Sequence, residues 1–261
     1  MPFSLRNARA TFLQPRVQSP WSQLGRNVKA YVDDIVVKSC KAFDHALDLQ
    51  ETFDNLRAAG MKLNPKKCVF VVRAGKLLGF LVSERGIEAN PEKIDAIQQM
   101  KPPSSVRQVQ KLTGRIAALS QFLSKAAERG LPFFKTLRGA GKFSWMPECQ
   151  IAFDELKQYL QSPPALVSLV AGSELWLYLA ASPVAVSAAL VQETTAGQKP
   201  VYFVSKALQA TKVSYFEMKK LAYALVMASR KLKHYFQAHR IVVPSQYPLG
   251  EVLRGKELRG T

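Results

Sequence analysis

Val28-Lys29-Ala30-Tyr31-Val32-Asp33-Asp34-Ile35-Val36-Val37-Lys38-Ser39 sets two adjacent carboxylates between β-branched apolar runs. The pattern predicts strand, tight turn, strand, with Asp33 and Asp34 at the tip. Pairing the arms buries Val28, Ala30 and Val32 against Ile35 and Val37 and sends both acids into solvent. Vicinal carboxylates repel, and a hairpin gains nothing structural from the second, so a divalent cation is the natural reason for keeping both. Asp-Asp is also ordinary turn chemistry, and the pair alone leaves both explanations standing. The flanking chain decides between them.

Downstream, Phe43, Ala46, Leu49, Phe53 and Leu56 recur at three- and four-residue steps, an amphipathic helix closed by Gly60. Met61-Lys62-Leu63-Asn64-Pro65-Lys66-Lys67-Cys68-Val69-Phe70 follows, then Leu77-Leu78-Gly79-Phe80-Leu81-Val82 and a turn at Gly86. Asn90 caps a short helix with Pro91 at its first position, and Ile94, Ile97 and Met100 form its apolar face. Ser104 caps a longer helix carrying Val106, Val109, Leu112, Ile116, Leu119 and Phe122. Arg107, Lys111 and Arg115 stand four apart on its other side. That stripe either tracks a phosphate backbone or is the solvated face of a core helix.

The last part reads as strands near 175–181, 186–192 and 200–205, a helix from about 215 to 235, and a strand at Ile241-Val242-Val243. A three-strand antiparallel meander, a crossover helix and a parallel strand make an α/β layer. Pro163-Pro164 marks its start.

Upstream and downstream motifs occur in the order of a known family. Tyr31-Val32-Asp33-Asp34 resembles motif C of reverse transcriptases, and Pro2-Phe3-Ser4-Leu5-Arg6-Asn7-Ala8-Arg9-Ala10-Thr11-Phe12 resembles their motif B. The Leu78-Gly79 hairpin, Phe143-Ser144-Trp145 and Ala152-Phe153-Asp154-Glu155-Leu156-Lys157 are similar to gypsy-type LTR retrotransposon pol polyproteins. Leu177-Tyr178-Leu179-Ala180-Ala181-Ser182 looks like the degenerate RNase H-like domain of the plant Tat-like group. The resemblance implies an α+β chain: a reverse-transcriptase palm over residues 1–100, thumb and connection helices over 101–163, and an RNase H-like domain over 164–261, truncated at both ends. It implies catalytic and Mg2+-binding roles for Asp33 and Asp34, a nucleotide pocket at Pro2, Phe3, Asn7, Ala8 and Tyr31, and a primer grip at Leu78, Gly79 and Phe80. Lys66, Lys67, Arg107, Lys111 and Arg115 become candidate nucleic-acid contacts, with an RNA–DNA hybrid or primed template as partner.

Several departures from the family pattern bear on activity. Ser4 and Arg9 replace two glycines of motif B, and Pro15 and Pro20 fall where the family has a helix. The three RNase H carboxylate positions fall on Ala180, Leu221 and Ser245, none of which can bind a metal as a carboxylate does. The family's first catalytic aspartate and its fingers precede the first residue given. The expectation is a chain inactive alone. The alternatives are a non-catalytic nucleic-acid-binding module, with other pol fragments as partners, or a non-functional translated remnant.

Bulk properties agree with a polyanion partner. The 261 residues hold 37 Lys+Arg against 19 Asp+Glu, a formal charge of +18, with 48% hydrophobic residues. The excess is spread along the chain, so a broad cationic surface is implied. Cys40, Cys68 and Cys149 are too far apart for a CxxC zinc site or a disulfide framework, which fits an intracellular protein. His234 and His239 lack nearby Cys or Glu partners and read as surface or packing residues. No apolar run suggests a membrane span, no signal peptide is seen, and no small-molecule cofactor is called for.

Overall fold

A computed structural model describes residues 22–31, 34–39, 41–138, 143–169 and 172–253. The chain divides into two compact units, Met1–Gly79 and Phe80–Thr261.

In the first unit β1 (Val28–Tyr31) pairs antiparallel with β2 (Asp34–Val37), in the register Val28↔Val37 through Tyr31↔Asp34. Val28, Ile35 and Val37 lie together against Phe53, Leu56 and Met61, the face the alternation predicts. Asp34 differs from the expected turn position: it is the first residue of β2, paired with Tyr31. α1 (His45–Ala58) ends on Gly60 at φ +65°, with Met61 N–H donating to the Leu56 carbonyl (2.9 Å). Phe43 falls before the helix and is 74% exposed, so the helix face is shorter than its spacing suggests.

A buried polar network ties the hairpin to α1. Gln23 is fully buried; its Nε2 donates to the Asp48 carbonyl (3.0 Å), and its Oε1 accepts from Thr52 Oγ1 and Asn55 Nδ2 (both 3.1 Å). Asn27 Nδ2 donates to Asp48 Oδ1 (2.6 Å) and Ser39 Oγ to Asp48 Oδ2 (2.5 Å). Buried amides this well satisfied select one docking geometry, because any slip would strand a donor without water.

The second unit begins with β4 (Phe80–Ser83) paired antiparallel to β5 (Gly86–Ala89); β3 (Ala74–Leu77) precedes it in the first unit. α2 (Pro91–Gln98) starts on Asn90, whose Oδ1 accepts from Glu92 N–H (3.0 Å). α3 (Val106–Leu119) is capped by Ser105, not Ser104; Ser104 instead donates through its backbone N–H to Gln108 Oε1 (2.8 Å). Val109, Leu112, Ile116 and Leu119 are buried, while Val106, expected on that face, is 43% exposed. α4 (Ala126–Arg129), α5 (Leu131–Arg138) and α6 (Pro147–Gln161) complete a helical core around Phe122, Phe133 and Phe153. Trp145 stacks parallel on Phe133 (centroids 5.8 Å apart) and meets Phe153 edge-on (6.0 Å).

A four-stranded sheet follows in the order β8-β7-β6-β9. β6 (Leu175–Ala181), β7 (Ala185–Thr194) and β8 (Gly197–Ala207) form the antiparallel meander, and β9 (Ile241–Val242) joins β6 in parallel. Between β8 and β9 run α7 (Ala210–Val213), α8 (Glu217–Lys231) and α9 (Lys233–Ala238); α10 (Leu249–Leu253) follows β9. The strands fall close to where the sequence placed them. The single helix expected over 215–235 is broken at Leu232 into α8 and α9, and β9 ends at Val242, one residue short of the expected strand. Leu175, Leu177 and Leu190 pack with Leu225, Ala228 and Leu232 of the helical layer.

Helical core and sheet are joined by backbone. Ile87 N–H donates to the Leu166 carbonyl (2.7 Å) and Leu166 N–H to the Ile87 carbonyl (2.8 Å). Gly86 adopts φ +125°, and a Cβ there would overlap the Leu166 carbonyl oxygen, so only glycine fits. Phe203 of β8 packs against the helical core, and Ser205 Oγ accepts from Ala127 N–H (2.8 Å). Packing therefore crosses the places where sequence motifs change at residues 100 and 163.

Candidate functional site

The motif-C hairpin places Asp34 exposed at the start of β2. Asp33, and Pro2, Phe3, Asn7 and Ala8 of the expected nucleotide pocket, lie outside the described residues, and Tyr31 is described by its backbone alone. Among the described residues no three His, Cys, Asp or Glu side chains gather as a metal site.

Lys66 and Lys67 are exposed on a 3-10 turn (Pro65–Lys67), which Asn64 caps by accepting from Lys66 N–H (3.1 Å). Leu78 and Gly79 both take positive φ, +53° and +76°, the backbone of a tight primed turn. Phe80 turns into the second unit's core, tilted on Phe122 at 5.8 Å, with Lys93 Nζ 5.3 Å from its ring centroid.

The stripe on α3 divides in two. Arg107 and Lys111 are exposed. Arg115 folds inward, its Nη1 donating to the Ala96 carbonyl and approaching Met100 Sδ (3.5 Å). It satisfies a carbonyl in the last turn of α2 and anchors that helix to α3. Four-residue spacing placed it on the right face, but nothing in spacing foretold which way its guanidinium would turn.

The RNase H positions do not gather a metal site. Ala180 is exposed on the face of the sheet opposite α8, beside a cavity of ≈ 30 Å³ lined also by Lys125, Glu128, Ser182, Ser187 and Ser205. Leu221 is buried on α8, and Ser245 is exposed with its Oγ accepting from Tyr247 N–H (3.0 Å). Glu217, one turn before Leu221, accepts from Tyr247 Oη (3.0 Å). Lys220 is only 9% exposed and donates to the Pro183 carbonyl (3.4 Å) at the β6–β7 turn. At the three positions where the resemblance would put metal-binding acids, the chain supplies no carboxylate to hold a divalent ion.

His239 Nδ1 lies 3.1 Å from the Ser173 carbonyl, a packing role. Among the described residues no helix is long and apolar enough to cross a membrane.

The chain thus runs from a β-hairpin through a helical bundle to a four-stranded mixed sheet covered by helices. Residues 7–102 match the family model of reverse transcriptase (RNA-dependent DNA polymerase), and residues 145–243 match that of the RNase H-like domain found in reverse transcriptase. Similar curated proteins include the retrovirus-related Pol polyprotein from transposon 297 of Drosophila melanogaster, 28% identical over 95% of this chain and 23% of that protein. The transposon Tf2-3 polyprotein of Schizosaccharomyces pombe is 27% identical over 81% of this chain and 16% of its own length. Among solved structures, a foamy viral protease-reverse transcriptase in complex with RNA/DNA hybrid aligns with a TM-score of 0.82 at 21% identity, over 98% of this chain and 35% of that one. The same viral protein with dsDNA gives 0.78 at 21% identity, over 97% of this chain and 53% of that one. The chain thus carries a reverse-transcriptase segment followed by an RNase H-like segment, the order found in retrotransposon pol polyproteins. It spans about a quarter or less of the length of these curated relatives.

Proposed function

We propose that these residues form a nucleic-acid-binding module of a plant gypsy-type, Tat-like pol polyprotein whose RNase H-like domain does not cleave. The observation that carries it is the pairing of a cationic chain, +18 overall, with Ala180, Leu221 and Ser245 at the three carboxylate positions. Two-metal hydrolysis of a hybrid needs acids there to hold both ions. Glu217 is held by Tyr247, and one carboxylate does not assemble such a site. What remains is recognition, for which Arg107, Lys111, Lys66 and Lys67 offer exposed cations to phosphates. In a full polyprotein, the carboxylates of Asp33 and Asp34 would help hold the Mg2+ that supports RNA-directed DNA synthesis, with Leu78, Gly79 and Phe80 against the primer. The Tat-like assignment rests on Leu177-Tyr178-Leu179-Ala180-Ala181-Ser182.

The test is fluorescence-anisotropy binding to a primed RNA–DNA hybrid across a salt series, with the same hybrid incubated in Mg2+ as a cleavage assay. Saturable binding with a steep negative salt slope and an intact RNA strand is the expected outcome. RNA cleavage that disappears in Glu217→Gln, or binding indifferent to salt, overturns it.

A further inference from the structure

A second cationic surface lies in the RNase H-like domain, away from α3. Lys212 Nζ sits 4.0 Å from the ring centroid of Tyr223, and Lys206 Nζ reaches the same ring at 5.9 Å. Lys206 comes from the end of β8, Lys212 from α7 and Tyr223 from α8. One turn earlier on α8, Lys219 Nζ lies 4.1 Å from the ring centroid of Tyr215. Lys219 and Tyr223 are four apart and share one helix face. Three ammoniums and two phenols thus lie along one stretch of surface.

The platform is fixed from beneath. Tyr223 packs against the buried cluster of Val186, Leu208 and Ala224, and Val186 is the cross-strand partner of Lys206. Among the described residues neither Lys206 nor Lys212 enters an ion pair. Their proximity lowers the Tyr223 phenol below its ordinary value, chiefly through Lys212. Two like charges held on one phenol repel each other, and the electron-rich ring face offsets only part of that cost. An anion between them would remove it.

We propose that Lys206, Lys212 and Tyr223 form a seat for the phosphodiester backbone of a nucleic-acid duplex, extended along α8 by Lys219. The two ammoniums contact phosphate oxygens of one backbone stretch, with the Tyr223 ring beside both. Such contacts position a duplex without reading its bases. The seat deepens the nucleic-acid-binding reading above and rests on it. It makes the RNase H-like domain a second point of attachment, retained without its hydrolytic carboxylates.

The experiment compares the wild-type chain with the double variant Lys206→Gln, Lys212→Gln on the primed RNA–DNA hybrid, by anisotropy across a salt series. Wild type should show the steeper dependence, and the variant should lose roughly two units of log–log salt slope, near 0.9 for each phosphate contact. Both lysines are tethered at the surface, so the variant should keep the wild-type thermal transition. Tyr223→Phe keeps the ring and should retain most of the slope. An unchanged slope in the double variant overturns the seat while leaving the nucleic-acid reading intact. Absence of any salt-dependent binding by wild type overturns that reading and the seat with it. Saturable binding of inorganic phosphate alone, abolished in the double variant without any effect on the hybrid, assigns the cluster to a free anion and overturns the proposal.

Discussion

Tyr247 Oη donates to Glu217 Oε2 at 3.0 Å, fastening the chain beyond β9 to the first turn of α8. The carboxylate beside it raises the Tyr247 phenol above its ordinary value. A raised folded-state value favours the protonated phenol, so the contact contributes below the ordinary tyrosine range and is lost as pH rises through the higher folded value. Spectrophotometric titration of the tyrosines should show a late-ionising phenol that moves earlier in Glu217→Gln. Tyr202 and Tyr235 are also raised, by burial, and should not move. An unaltered titration curve in the variant would disprove the contact.

Gly86→Ala should destabilise the second unit. The φ of +125° is unfavourable for alanine, and the new methyl would overlap the Leu166 carbonyl. Strain of this kind costs about 1–3 kcal/mol, before any loss of the paired hydrogen bonds between Ile87 and Leu166. Urea denaturation monitored at the tryptophans measures it. A change within about 0.5 kcal/mol would mean the strand shifts freely.

Glu88 gives an acid-side signature. Arg85 and then Ser83 hydrogen-bond its carboxylate, and both lower its pKa. A depressed folded value contributes stability above the ordinary carboxylate range, lost as pH falls through the lowered value. Chemical denaturation between neutral and acidic pH should therefore show a shallower loss in Glu88→Gln than in wild type. Parallel curves would rule out the linkage.

Arg107 and Arg115 share one helix and should separate cleanly. Arg107→Gln should leave the thermal transition in place and reduce the salt slope of hybrid binding by about 0.9. Arg115→Met should do the reverse, because its guanidinium holds the Ala96 carbonyl and touches Met100. Losing a charged hydrogen bond of this kind costs about 1.5–3 kcal/mol. An Arg115 variant that binds more weakly with unchanged stability would place that side chain on the ligand instead.

Elements with a local pattern were legible in advance. The β1–β2 hairpin, the Asn90-Pro91 helix start, the apolar row of Val109, Leu112, Ile116 and Leu119, and the meander with its parallel fourth strand all follow from periodicity and turn chemistry. Partnerships between distant polar groups were not. Gln23 enters a buried network with Asp48, Thr52 and Asn55, yet its own neighbourhood in sequence looks like damaged helix. Arg115 carries the same spacing as Lys111 and the opposite role. Lys206, Lys212 and Tyr223 meet from a strand and two helices, so no repeat joins them. The motif-C acids were recognisable as a pair, but the register moved Asp34 into the strand opposite Tyr31.

The mutual hydrogen bonds between Ile87 and Leu166 bear on where this chain could be cut and rejoined. Ile87 lies in the segment matching reverse transcriptase, whereas Leu166 lies in the segment matching the RNase H-like domain. A crossover at the junction of the two homologies would bring in a foreign strand opposite Gly86, where only a backbone of compatible curvature can dock. Genetic modularity and mechanical modularity thus have different seams in this chain. A chimera joined at that boundary keeps both hydrogen bonds only if the incoming segment follows the same backbone course opposite Gly86.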